Sequence, residues 1–118
     1  MKSDLFEFYS DEGAERCGFV LKDDSIVELE NIHPEPQLGF EIDSVEILRY
    51  IDDLKIIWHT HPGSTSTLSG EDKNYMEMWP DVEHVIIGSD GLKVYKVQNG
   101  VVLNENYLAW SPSKNLRN

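Results

Sequence analysis

The 118-residue chain contains one cysteine, Cys17, so no internal disulfide can staple it. That usage fits a reducing compartment, and a cytoplasmic setting is expected. Basic residues are scarce: ten Lys and Arg stand against 22 Asp and Glu, a formal net charge of −12. Such a surface repels phosphate backbones, which excludes nucleic-acid binding driven by counterion release. It suits a basic protein segment or a cation, although the same acids also serve solubility alone. The imbalance lies toward the front, where residues 1–68 hold 15 of the acids and 5 of the bases. No run approaches the ~18 apolar residues of a membrane span. Met1-Lys2-Ser3-Asp4 leads into mixed polar sequence without the apolar centre of a signal peptide. Repeats, low-complexity tracts and linkers are missing, so one domain over residues 1–118 is expected, with its core at roughly 5–103 and a short tail at 104–118.

The apolar pattern alternates between helix and strand signals. Leu5, Phe6, Phe8 and Tyr9 suggest a short first helix ended by Gly13. Cys17–Leu21 and Ile26–Leu29, joined by an Asp23-Asp24 turn, read as a hairpin. Asn31–Gly39, with Pro34 and Pro36, reads as a loop. Ser44–Leu54 reads as a helix, since Ile47, Ile51 and Leu54 recur at i, i+4, i+7 and Asp43 or Ser44 can cap it. Lys55–His61 is a strand stopped by Pro62-Gly63, and Ser69-Gly70 opens a helix that Pro80 ends. Val85–Gly88 and Leu92–Val97 are further strands, and Asn99-Gly100 turns the chain into Val101–Leu103. The expected fold class is α/β: a mixed sheet flanked by helices.

Most of the chemistry sits between His59 and Asp72. Two residues apart on a strand, His59 and His61 face the same way with alpha carbons ~6.6 Å apart. Two ring nitrogens at that spacing can reach one ion at ~2.0–2.1 Å. One helical turn separates Ser69 from Asp72, so Asp72 can add a carboxylate oxygen. Two histidines and one carboxylate leave the fourth tetrahedral position for water, as in catalytic zinc sites. Glu15, just before the first strand, is a candidate base for that water, but the spacing alone does not bring it to the ion. Ser69 offers a hydroxyl for a developing oxyanion.

His59-Thr60-His61, seven residues, then Ser69-Gly70-Glu71-Asp72 forms H-[ST]-H-x7-S-x-x-D. This resembles the signature of the JAMM metalloproteases, also called MPN+ or JAB domains. Glu15-Arg16-Cys17-Gly18-Phe19 matches the family's upstream E-x-C-G-hydrophobic form. Asn31–Pro36 followed by Phe40–Asp43 is similar to the prokaryotic JAB pattern between them. The resemblance covers roughly Leu5 to Leu103. It implies a JAB/MPN layout, similar to that of cytidine deaminases. It also implies zinc (Zn2+) held by His59, His61 and Asp72, with Glu15 as general base and Ser69 steadying the oxyanion. The implied reaction is hydrolysis of peptide or isopeptide bonds, with a peptide or protein substrate such as the C-terminus of a ubiquitin-like protein. The insertions that grip two ubiquitins in eukaryotic members are not evident at this length. A phage tail-tip or assembly role in a virion is the alternative, as is a metal-holding scaffold with little turnover. A zinc nucleoside deaminase would need a P-C-x-x-C that the chain lacks.

Each residue taken alone has a plainer reading. Ser69-x-x-Asp72 is also a capping box. Cys17 reads as a small buried strand residue rather than a nucleophile. His33 and His84 receive no metal role, and Thr60 points to the opposite face. Trp58 and Trp79 are expected in the core, and Met76 and Met78 are expected to fill their helix.

Overall fold

The computed structural model describes residues 2–110. Six strands form one mixed sheet in the order β2-β1-β3-β4-β5-β6. They are β1 Cys17–Leu21, β2 Ile26–Leu29, β3 Leu54–Thr60, β4 Glu83–Gly88, β5 Gly91–Gln98 and β6 Val101–Ala109. Helix α1 (Ser44–Tyr50) connects β2 to β3, and α2 (Gly70–Met78) connects β3 to β4. Only β3 and β4 run parallel; every other pair is antiparallel. A parallel pair needs a long crossover, and α2 provides it. β3 and β4 are buried along nearly their whole length, because helical segments cover both of their faces.

On one face Val20, Ile56, Trp58, Val85, Ile87, Leu92 and Val94 pack under a 3-10 helix, Lys2–Phe8, through its Leu5 and Phe6. On the other, Cys17, Phe19, Leu54 and Ile57 meet Phe40 and Ile42, with Ile47 and Tyr50 of α1 beside them. Trp58 is fully buried, and its indole Nε1–H donates to the Phe19 carbonyl at 3.1 Å. Asn99 and Gly100 both take positive φ, 53° and 78°, as the tight β5–β6 turn requires.

Four expectations change. The first helix is of the 3-10 type and ends at Phe8, well before Gly13. α1 stops at Tyr50, and Ile51–Asp53 tightens into a 3-10 turn. Leu54 opens β3 instead, because pairing with Leu21 of β1 buries it with Phe19 and Ile57. The tail begins later than residue 104, since β6 continues to Ala109 along β5 and Trp110 stacks on Phe6 at 4.3 Å between ring centroids. The remaining residues assigned to the tail, 111–118, lie outside the described residues. α2 ends at Met78 with Trp79 as its cap, one residue ahead of Pro80. Met76 is buried as expected, whereas Met78 is exposed because it falls on the outer side of α2.

Candidate metal centre

The site forms where β3 ends and α2 begins. His59 is the penultimate residue of β3, and His61 follows the strand, its N–H donating to the Ile87 carbonyl at 2.8 Å. Ser69 caps α2: its hydroxyl accepts from the Asp72 N–H at 3.1 Å, while Asp72 Oδ2 accepts from the Ser69 N–H at 3.0 Å. This capping box fixes the Asp72 carboxylate at the positive helix end with both oxygens turned toward the histidines. His59 Nε2 lies 3.0 Å from Oδ1, His61 Nε2 lies 3.0 Å from Oδ2, and the two Nε2 atoms are 3.2 Å apart. Donors at ~2.0–2.1 Å from a tetrahedral ion stand about 3.3 Å from one another. The separations between the two rings and from each ring to its own Asp72 oxygen lie close to that spacing.

The β1–β3 register brings Glu15 to the same place. Cys17 pairs with His59. The ladder continues one step: the Thr60 N–H donates to the Arg16 carbonyl at 2.9 Å, and the Arg16 N–H to Thr60 Oγ1 at 2.9 Å. Side chains alternate across a strand, so Arg16 and Thr60 share one face while Glu15, Cys17, His59 and His61 share the other. Glu15, His59 and His61 each present a ligand atom within 4.8 Å of the other two. Among the described residues, Glu15 Oε1 is buried without a hydrogen-bond partner, as are Tyr75 OH and Trp79 Nε1, and of these Glu15 alone is a carboxylic acid.

Electrostatics follow from this packing. Burial pushes Glu15 up to about 7; His61 pulls it down and Asp72 pushes it up. Burial holds His59 below its ordinary value and so favours the neutral ring, the form that ligates. Burial also opposes the charge on His61, but hydrogen bonds to Asp72 and the Thr65 carbonyl raise it overall. Asp72 would be raised by burial, yet its bonds to both rings hold it far below the usual carboxylate range. His61 Nδ1 lies 2.9 Å from the Thr65 carbonyl, which can only accept, so Nδ1 carries the proton. The neutral ring then leaves the Nε2 lone pair for an ion, as in metal sites with an outer carbonyl partner.

An ion that binds here must displace the proton favoured on His61. Its affinity should fall by up to about tenfold for each pH unit below the raised titration point of His61. Competition against a chromophoric chelator at pH 5.5, 6.5 and 7.5 checks this. A flat profile would show that no proton leaves.

Glu15, Gln37, Leu38, His61, Thr65 and Ser69 line an open cleft of about 600 Å³. A smaller groove of about 370 Å³, walled by Val20, Ile26 and Ile56, lies at the other end of β3 and holds no histidine or buried acid. The Glu15–His59–His61 cluster opens to solvent through the larger cleft. Its wall, residues 62–69, is pinned from behind. Tyr95 OH donates to the Ser66 carbonyl at 2.9 Å and accepts from the Leu68 N–H at 3.2 Å. Asp90 accepts from the Ser66 N–H at 2.8 Å. Gly88 lets this wall approach, since a Cβ there would collide with Ser66 N and Thr65 C. Gly88→Ala should destabilise the fold by about 1–3 kcal/mol, the scale of overpacking, and loosen the Thr65–His61 bond. Chemical denaturation measures the first effect and metal titration the second.

No protein-family model and no curated protein matches this chain.

The structure thus brings together His59, His61, Asp72, Glu15 and Ser69. His84 bonds the Trp79 carbonyl at 2.9 Å, and His33 bonds Glu71. Cys17 is buried, and its thiol is pushed up to about 12, chiefly by that burial, which leaves it unreactive. Three further side chains or carbonyls contribute in roles that the sequence alone does not assign. Phe40 stacks on the His59 ring at 4.3 Å between centroids. Thr65 orients His61 through its carbonyl, which any residue type could supply. Asn31 holds the Glu15 carbonyl at 2.9 Å; in the sequence it opens the Asn31–Pro36 stretch of the JAB-like pattern, with no role attached to it.

Proposed function

We propose that this chain is a zinc-dependent hydrolase of the JAMM type, cleaving peptide or isopeptide bonds, with the C-terminal segment of a ubiquitin-like protein as a fitting substrate. The observation that carries the proposal is the convergence of His59, His61 and Asp72 at metal-ligand spacing, with the unpartnered Glu15 carboxyl facing them. Two imidazoles and one carboxylate suit zinc among the common divalent ions, and three protein ligands characterise a catalytic rather than a structural site. The H-x-H-x7-S-x-x-D and E-x-C-G motifs point the same way.

Bound zinc would supply a Lewis acid that polarises the scissile carbonyl and acidifies water. The chain's own residues do the rest. Glu15 takes the proton from the attacking water and returns it to the leaving nitrogen as the carbon–nitrogen bond breaks. The products are a carboxylic acid and an amine. A base with a pKa near neutrality is matched to this shuttle. Ser69 is exposed at the cleft, and its oxygen already accepts from the Asp72 N–H, so its O–H remains free to donate to the oxyanion.

The test is incubation with ubiquitin-like proteins extended at their C-termini by a short peptide. Cleavage should occur with one equivalent of zinc and stop with chelator. One bound zinc with no turnover on any such fusion would instead assign the chain a binding or assembly role.

A further inference from the structure

Glu15 precedes β1, so the strand ladder does not secure it directly. The Asn31–Gly39 loop does. The Glu15 N–H donates to the Pro36 carbonyl at 2.7 Å, and the Glu15 carbonyl accepts from Asn31 Nδ2 at 2.9 Å. The same amide donates to the Gly39 carbonyl at 3.0 Å. Asn31 Oδ1 accepts from the His33 and Glu41 N–H groups, both at 3.0 Å. One half-buried side chain thus ties together the segment before β1, both ends of the loop and the approach to Phe40.

The loop is tied to α2 as well. His33 Nδ1 accepts from the Glu35 N–H at 2.9 Å, so in the neutral ring Nε2 carries the proton. Nε2 lies 3.1 Å from Glu71 Oε1, beside the ligand Asp72 in sequence. The pair packs over Gly39, where a Cβ would collide with Glu71 and meet His33 Nε2 at 2.9 Å. A continuous chain of bonds therefore runs from the Glu15 backbone through Asn31 and His33 to the helix that carries Asp72.

We infer that Asn31 is a positioning residue that sets where the Glu15 carboxylate stands relative to the three metal ligands, with His33 tying the same loop to α2. The inference rests on the proposed hydrolase reading for its consequence in catalysis, but its geometry is testable without turnover. The hydrogen bonds of the Asn31 side chain go to Glu15, His33, Pro36, Gly39 and Glu41 and to none of His59, His61 and Asp72, so its loss should spare the grip on the ion. A misplacement of about 1 Å in a reacting group costs on the order of 100-fold in rate.

Amide hydrogen exchange on the full chain gives the first readout. In Asn31→Ala the Glu15 amide should exchange at least tenfold faster, while Ile57 and Ile86 in the central strands stay protected. Zinc affinity, measured by chelator competition, should stay within about threefold of the parent. Asn31→Asp keeps both acceptor bonds and loses the donations to the Glu15, Pro36 and Gly39 carbonyls, which guards against a variant that fails to fold; it should show the same split. The second readout is a double-mutant cycle on a cleavable ubiquitin-like fusion. Asn31→Ala should lower kcat about 100-fold alone and cause no further loss in a Glu15→Gln background. Unchanged Glu15 exchange in both variants would overturn the inference, as would an equal loss in the two backgrounds. If no fusion is cleaved by the parent, the hydrolase reading falls while the exchange result still decides the positioning role.

Discussion

Glu15→Gln is expected to remove hydrolysis while making the metal-free protein more stable. Losing a general base costs about 10²–10⁴ in rate, and no other acid among Glu15, His59, His61 and Asp72 is free to replace it. The stability gain follows from the buried carboxyl. Its folded value of about 7 lies above the ordinary 4.5, so the folded state holds this proton more tightly than the unfolded chain. The folded state therefore bears no ionisation penalty below pH 4.5. The penalty grows as pH rises toward 7 and is complete above it. At 1.36 kcal/mol per unit the shift amounts to about 3 kcal/mol in the metal-free protein. Denaturant titrations of parent and Glu15→Gln should coincide near pH 4.5 and diverge by about 2–3 kcal/mol at pH 8, the variant being the more stable. Zinc would pull the carboxyl down and shrink the gap. A parent as stable as the variant at pH 8 without metal would show that Glu15 suffers no such burial.

Asp72→Ala should abolish tight zinc binding. The carboxylate is the one anionic group bonded to both rings, and it is buried. Loss of outer partners alone typically costs 10–100-fold in metal affinity, so removing a ligand should cost more than about 100-fold. The same change breaks the capping box of α2, worth roughly 1 kcal/mol. Asp72→Asn separates the two effects, because an amide oxygen can still accept from the Ser69 N–H while binding zinc poorly. Calorimetric titration should find both variants deficient in zinc and only the alanine variant appreciably less stable. Parent-like affinity in both would place the ion elsewhere.

The strands were largely legible in the sequence because β1, β3 and β4 are short apolar runs that the core buries. The errors lie where backbone pairing outweighs side-chain pattern. Leu54 completes a helical stripe with Ile47 and Ile51, yet pairing with Leu21 draws it into β3. Asn104-Glu105-Asn106 reads as a polar tail, but an edge strand with exposed faces needs only β5 to pair with. At the site, His59, His61, Ser69 and Asp72 could be read locally, from strand alternation and one helical turn. Glu15 could not, because its position depends on the pairing of Cys17 with His59 across a long sequence gap. Asn31 and Phe40 stand in the stretch that resembles the JAB pattern, but what they touch depends on the same long-range packing and could not be read from the pattern.

Metal content of the full chain tests the centre most directly. Protein purified without chelator, dialysed against micromolar zinc and then against metal-free buffer at pH 7.5, should retain one zinc per chain. Glu15→Gln should retain the same, and the combined His59→Ala and His61→Ala variant should retain none. A parent that leaves dialysis empty, or a double variant that holds as much zinc as the parent, would contradict a metal centre built on these residues.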